Sequence, residues 1–209
     1  MKHLIIFVLL VVAFSESAPH GKSDQHIAND VRIKYGCGLP TGRSTMAYFE
    51  AMFACTGVAT AATSIHAMLT RSFNFLDMNG DGAVSENEVD TRFGQLNAQE
   101  STEDRQKFAN CDIDGNDNID DNEYSKCSVL SYAFMMSKVD FDNSGNLSKG
   151  ELIFLVREFA KVIYTTKTPE MQLRVIDSLG KPAGASYTLH DLVFVDTTLF
   201  GQYLDDHNL

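Results

Sequence analysis

Basic residues are scarce in this chain: 17 lysines and arginines stand against 28 aspartates and glutamates, a formal charge of −11 over 209 residues. That balance excludes a nucleic-acid partner, because binding phosphate needs a basic face. Long acidic runs are missing too, so there is no polyacidic tail of the mineral-binding kind. No apolar run approaches the roughly 20 residues that span a bilayer, and no membrane anchor is expected. The four cysteines form no C-x₂₋₄-C unit, which leaves a zinc site without its usual spacing. The six histidines are scattered, and no Ser/His/Asp or Cys/His constellation emerges. No enzyme activity is expected. Tryptophan is absent altogether.

What remains is an ordinary soluble composition, with 44% apolar and 22% charged residues. The length allows one domain or two small ones. The longest apolar run, Leu4 to Phe14, follows Lys2 and His3 and precedes the small and polar residues "SESAPHG". A short run with a basic start and small residues after it reads as a cleaved signal peptide, residues 1–17. Cleavage after Ser15 or Ala18 is the alternative. An amphipathic first helix is the rival reading, but residues 4–14 offer no polar face. The chain ends "DDHNL", which is not a retention tetrapeptide, so secretion is the expectation.

The organising feature is a repeat. "DMNGDGAVSENE" (77–88), "DIDGNDNIDDNE" (112–123) and "DFDNSGNLSKGE" (140–151) align without gaps. Each carries oxygen-bearing side chains at positions 1, 3 and 5, an apolar residue at position 8 and glutamate at position 12. A hard cation such as calcium takes six to eight oxygen ligands, with position 7 lending a backbone carbonyl and position 12 both carboxylate oxygens. The candidate ligands are Asp77, Asn79, Asp81, Ala83 and Glu88; then Asp112, Asp114, Asn116, Asn118 and Glu123; then Asp140, Asp142, Ser144, Asn146 and Glu151. Ala83, Asn118 and Asn146 contribute as carbonyls. The flanks keep helical spacing: Phe73 and Leu76, Phe108 and Cys111, Met136 and Val139 before the loops, and Val89, Tyr124 and Leu152 after them.

This pattern resembles the EF-hand family over residues 65–165. The resemblance implies an all-α, EF-hand-like fold of two paired helix–loop–helix lobes, with short two-stranded pairings between loops and three bound calcium ions. Position 8 residues should pair, Val84 with Ile119 and Leu147 with Tyr187. A degenerate fourth hand is suggested by Leu173, Ile176 and Asp177, after a helix start at Thr168-Pro169. If Asp191 is its closing acid, the loop is three residues longer than twelve, lacks oxygen side chains at its middle positions, and is expected to bind no calcium. Between Glu123 and Asp140 lie 16 residues, which fit one continuous helix. The expected organisation is therefore a turn-rich and helical extension (18–64), a pair of hands (65–130), and a third hand with its degenerate partner (131–209). Helix is expected over about 45–55 and again from about Ala61, with Gly57 as a break.

One loop departs from the pattern. Position 6 calls for glycine, and the second loop has Asp117 there. A left-handed residue other than glycine costs about 1–2 kcal/mol, though aspartate is among the types that tolerate it. The site is expected to bind, with an affinity loss of about tenfold. Its flanks hold Cys111, just before the loop, and Cys127, four residues past Glu123, both facing one core. The expected disulfides are Cys111–Cys127 and Cys37–Cys55, with buried free thiols as the alternative. The sequon at Asn146-Leu147-Ser148 lies inside the third loop and is expected to stay unused.

Secreted, acidic and multi-handed, the chain is similar to extracellular and shell-matrix EF-hand proteins. Such a resemblance implies a calcium-binding matrix or buffering protein, with a matrix or mineral partner, in a calcified tissue. Two alternatives stand beside it. One is a calcium sensor exposing an apolar groove, for which Met135 and Met136 are candidates although core packing accounts for both. The other is a photoprotein-like oxygenase holding a luciferin between the lobes, against which the missing tryptophan and the signal peptide count.

Overall fold

The computed structural model describes residues 56–95, 108, 111, 112, 114–162 and 168–209. The expected signal peptide, the helix over 45–55 and the Cys37–Cys55 bridge lie outside these residues. Among the described residues six helices and two short strands follow in order: α1 (Thr56–Leu76), β1 (Ala83–Ser85), α2 (Glu86–Gln95), β2 (Asn118–Asp120), α3 (Asp121–Val139), α4 (Lys149–Val162), α5 (Pro169–Asp177) and α6 (Leu189–His207). Helix α1 begins at Thr56, ahead of the expected start near Ala61, and Gly57 sits in its first turn. Glycine weakens a helix most in its interior; at the second residue it does not break this one.

Ile65, Leu69, Phe73 and Leu76 of α1 are all buried. Their spacing of four, four and three residues puts them on one stripe, which lies on α3 and α6. Phe73 meets Tyr124 of α3 edge to face at 5.5 Å. Phe75 meets Phe200 of α6 in the same way at 5.7 Å, and the Arg92 guanidinium of α2 covers its ring at 4.3 Å. At the near end of α3, His66 shares one ring nitrogen with the Ser125 hydroxyl at 3.0 Å and the other with Asp121 at 2.8 Å.

Helix α3 is the central element. It leaves the second loop and enters the third without a break, which fits the 16 residues between Glu123 and Asp140. Tyr124, Cys127, Val129, Tyr132, Ala133, Met135, Met136 and Val139 are buried, as are Ser125, Ser128 and Ser131. A helix buried on this many sides needs small residues where neighbours approach, and the three serines stand three residues apart along one such face. Met135 and Met136 are core residues. One continuous apolar core joins α1, α3, α4, α5 and α6, so the helices around the third and fourth loops share their interior with those around the first two.

The loops pair through two antiparallel contacts. Strands β1 and β2 place Val84 opposite Ile119. Leu147 and Tyr187 form an isolated bridge, with Leu147 N donating to Tyr187 O at 2.8 Å and Tyr187 N to Leu147 O at 2.7 Å. All four side chains are buried.

Candidate metal centre

Each of the three loops is shaped by the same two backbone requirements. Positions 4 and 6 turn the chain through left-handed φ: Gly80 at 73° and Gly82 at 86°, Gly115 at 73° and Asp117 at 64°, Asn143 at 59° and Gly145 at 80°. Glycine, asparagine and aspartate are the residues that enter this region at least cost. The turn brings loop amides onto the first aspartate. Asp77 Oδ1 accepts from the Gly80 and Asp81 amides at 2.8 and 3.2 Å, and Oδ2 from Gly82 at 2.9 Å. Asp112 accepts in the same way from Gly115, Asn116 and Asp117 at 2.9, 3.0 and 2.9 Å. Asp140 accepts from Ser144 and Gly145 at 2.9 and 2.8 Å.

The closing glutamates serve two purposes at once. Glu88, Glu123 and Glu151 stand at the third residue of the exiting helix, and each reaches back to the amide of its position 9: Ser85 at 2.9 Å, Asp120 at 3.0 Å, Ser148 at 2.7 Å. The position 9 side chain returns the bond to the glutamate amide, at 3.3, 2.8 and 3.3 Å. This is a capping box, so the residue expected to close a cation shell is also the one that starts the helix. The other carboxylate oxygen turns to the head of the loop: Glu88 to the Met78 and Asn79 amides at 2.9 and 3.2 Å, Glu123 to Asp114 at 3.1 Å, Glu151 to Phe141 at 2.7 Å.

Asp112, Asp114 and Glu123 offer oxygens within 4.8 Å of one another, and so do Asp140, Asp142 and Glu151. The first loop brings no such triad together. Its position 3 is Asn79, whose side-chain amide donates to Asp81 Oδ2 at 2.9 Å, so an amide oxygen takes the place of the third carboxylate. Hydrogen bonds from the Ser144 hydroxyl and amide hold the Asp142 carboxyl below its ordinary pKa. Burial by itself pushes the Glu88 carboxyl up, but hydrogen bonds from Ser85, Asn79 and Met78 more than offset that and leave it below the ordinary glutamate value. Both groups are therefore kept in the anionic form that a hard cation needs.

Cys111 and Cys127 are joined in a disulfide with Cα atoms 5.6 Å apart. It ties the residue before the second loop to the helix that leaves it. Residues 55–127 match a family model described as the calcium-binding region of a secreted protein acidic and rich in cysteine. The match spans the first two loops and this bridge, and ends before the third loop. No curated protein matches the chain. Among the described residues no helix is long and apolar enough to cross a membrane.

The fourth loop differs in its charge. Thr188 caps α6 and Asp191 completes a fourth capping box, with the Thr188 amide and hydroxyl donating to Asp191 Oδ2 at 2.6 and 2.8 Å. The same oxygen accepts from Lys181 Nζ at 2.7 Å. Burial pushes the Asp191 carboxyl up, but Lys181 and Thr188 outweigh it and leave its pKa lowered. Lys149, in the first turn of α4 after the third loop, reaches across to Asp177 at 2.5 Å. Leu173, expected to repeat the core position before a loop, is half-buried, whereas Gln172, Val175 and Ile176 are buried. Neither lysine was singled out by the loop alignment. The signal was present: counted from Asp177, Lys181 occupies position 5, where the other loops carry an oxygen.

Proposed function

We propose that this is a secreted EF-hand protein of two paired lobes that binds three calcium ions, one in each of the loops 77–88, 112–123 and 140–151. Its role is that of an extracellular matrix or buffering component of a calcified tissue, without catalysis. The observation that carries the reading is the shared loop geometry: the same two left-handed turns, amides gathered on the first acid, and a glutamate at position 12 facing both ends of each loop. The match to a secreted calcium-binding region supports it for the first two loops, and the disulfide suits an oxidising compartment. Extracellular modules of this kind work at dissociation constants of about 10⁻⁴–10⁻³ M. Such sites sit mostly filled outside the cell and stabilise the fold by mass action.

The sensor alternative needs a methionine-rich surface that opens. Here Met135 and Met136 are buried in α3, and the second hand is bridged across its two ends. Calcium titration of the oxidised, secreted protein in the presence of a dye for apolar surface separates the two. Three sites near about 10⁻⁴ M with no gain in dye signal are expected. Micromolar sites with a strong signal would sink the matrix reading.

A further inference from the structure

The fourth loop holds a positive charge of its own. Residues 186–191 repeat the arrangement of 146–151 in the third loop. Tyr187 pairs with Leu147, so Ser186 stands where Asn146 presents its position 7 carbonyl and Asp191 where Glu151 closes the loop. These two are the groups that would face a bound cation. Both are bonded to Lys181: its Nζ donates to the Ser186 carbonyl at 2.9 Å and to Asp191 Oδ2 at 2.7 Å. The ammonium also lies 5.2 Å from the centre of the Tyr187 ring. Asp191, one methylene shorter than glutamate, is matched by a side chain long enough to come to it. The pair is largely out of solvent, with side-chain exposures of 26% for Lys181 and 11% for Asp191, against 50% and 59% for Lys149 and Asp177.

We propose that the Lys181 ammonium takes, in the fourth loop, the place that a bound cation takes in the other three, so that this hand is closed by the chain's own charge. The fourth hand then needs no ion. It keeps Tyr187 in position whatever the calcium level, and Tyr187 through its two bonds to Leu147 holds the strand segment of the third loop in its closed form. Lys181 is thus a positioning residue for the third calcium site. A loop already in its bound shape loses less conformational entropy when the ion arrives, so the third site binds more tightly than its neutral Ser144 would otherwise allow. The second part of this inference rests on the third loop being a calcium site; the first part does not.

Hydrogen exchange on the full, oxidised chain in chelator tests the first part with no calcium anywhere. The Tyr187 and Leu147 amides should be protected in the unmodified protein, and Lys181→Met should speed their exchange by at least about tenfold. Lys181→Arg should keep most of the protection, and Lys149→Met, which removes only an exposed pair, should change it by less than about twofold. Unchanged protection in Lys181→Met overturns the proposal. If that variant does not fold, Lys181→Gln carries the same comparison. Calcium titration adds a readout that a merely structural ion pair would not move. Lys181→Met should weaken the third site several-fold and leave the first two as they are, whereas equal weakening of all three overturns the coupling. An unmodified third loop that takes up no calcium refutes the reading of that loop, and the exchange result then decides the role of Lys181 by itself.

Discussion

At the scale of single residues, Asp117 stands apart. Its φ of 64° is the conformation that glycine holds at the matching position of the other two loops. The alignment of three loops made this legible, because position 6 is a backbone requirement and aspartate meets it under strain. In the proposed site a bound ion fixes that turn, so relief of strain should show in affinity. Asp117→Gly should tighten the second site by up to about tenfold, equivalent to about 1.4 kcal/mol; a titration showing equal or weaker binding would refute the strain account. Asp191 makes a separate point. Its folded pKa lies below its ordinary value of 3.8, so the ionised form favours the folded state. That contribution is fully present above the unfolded pKa and is lost as pH falls through the folded one. Asp191→Asn should therefore be less stable than the unmodified protein in chelator near neutral pH, and the gap should close as pH falls below the ordinary value of 3.8 and Asp191 is protonated. Curves that stay parallel down to strong acid would show that the carboxylate contributes nothing.

At the scale of elements, the capping boxes explain why each helix begins where it does. Position 9 and position 12 of each of the three loops are also the cap and third residue of the helix that follows, so the pair that the proposed sites place beside an ion also starts the helix. The sequence analysis placed a helix start only at Thr168-Pro169, where the Thr168 side chain accepts from the Met171 amide; the boxes beside the three loops are seen in the structure. The start of α1 was misplaced: Gly57 is a weak helix former, but helical ends are tolerant and the buried stripe from Ile65 onward holds the helix together. The disulfide adds a constraint at the same scale. Cys111 and Cys127 are 16 residues apart in sequence, and closing a loop of that size in the unfolded chain contributes about 3 kcal/mol. Replacing both cysteines by serine should lower the unfolding free energy by about that amount in urea titrations, with the first and third calcium sites little affected. A loss below about 0.5 kcal/mol would mean that the bridge has little effect on stability.

At the scale of the whole molecule, α1 and α6 decide the architecture. Both pack on α3, and they also meet each other across the chain, where Arg71 reaches Asp205 at 2.5 Å and lies over Gly201. A Cβ at Gly201 would come within 2.7 Å of the Arg71 Nη1. Inside, the Tyr132 hydroxyl donates to Asp196 at 2.5 Å, and both residues are fully buried. Tyr132→Phe removes a bond to a buried acid and should destabilise the protein by about 1–3 kcal/mol, whether or not calcium is present. Leu69 is fully buried between α1 and its neighbours. Leu69→Ala should cost about 2–5 kcal/mol by opening a cavity. Thermal or urea unfolding checks both, and a change within experimental error for either would contradict the shared core.

The sequence by itself determined the three repeated loops, the oxygen-bearing positions within them and the flanking residues that face the core. Each of these depends on residue type within about a dozen positions, where φ preference, hydrogen-bonding capacity and periodicity act locally. Only the tertiary structure decided that α1 lies over α3 and α6, that Tyr132 meets Asp196, and that Lys181 folds back onto Ser186 and Asp191. Those outcomes depend on which apolar faces and which opposite charges come together once the chain closes. In the fourth loop the sequence shows only a lysine where an oxygen was expected; the closed loop shows the ammonium against the carbonyl and carboxylate that an ion would have bound.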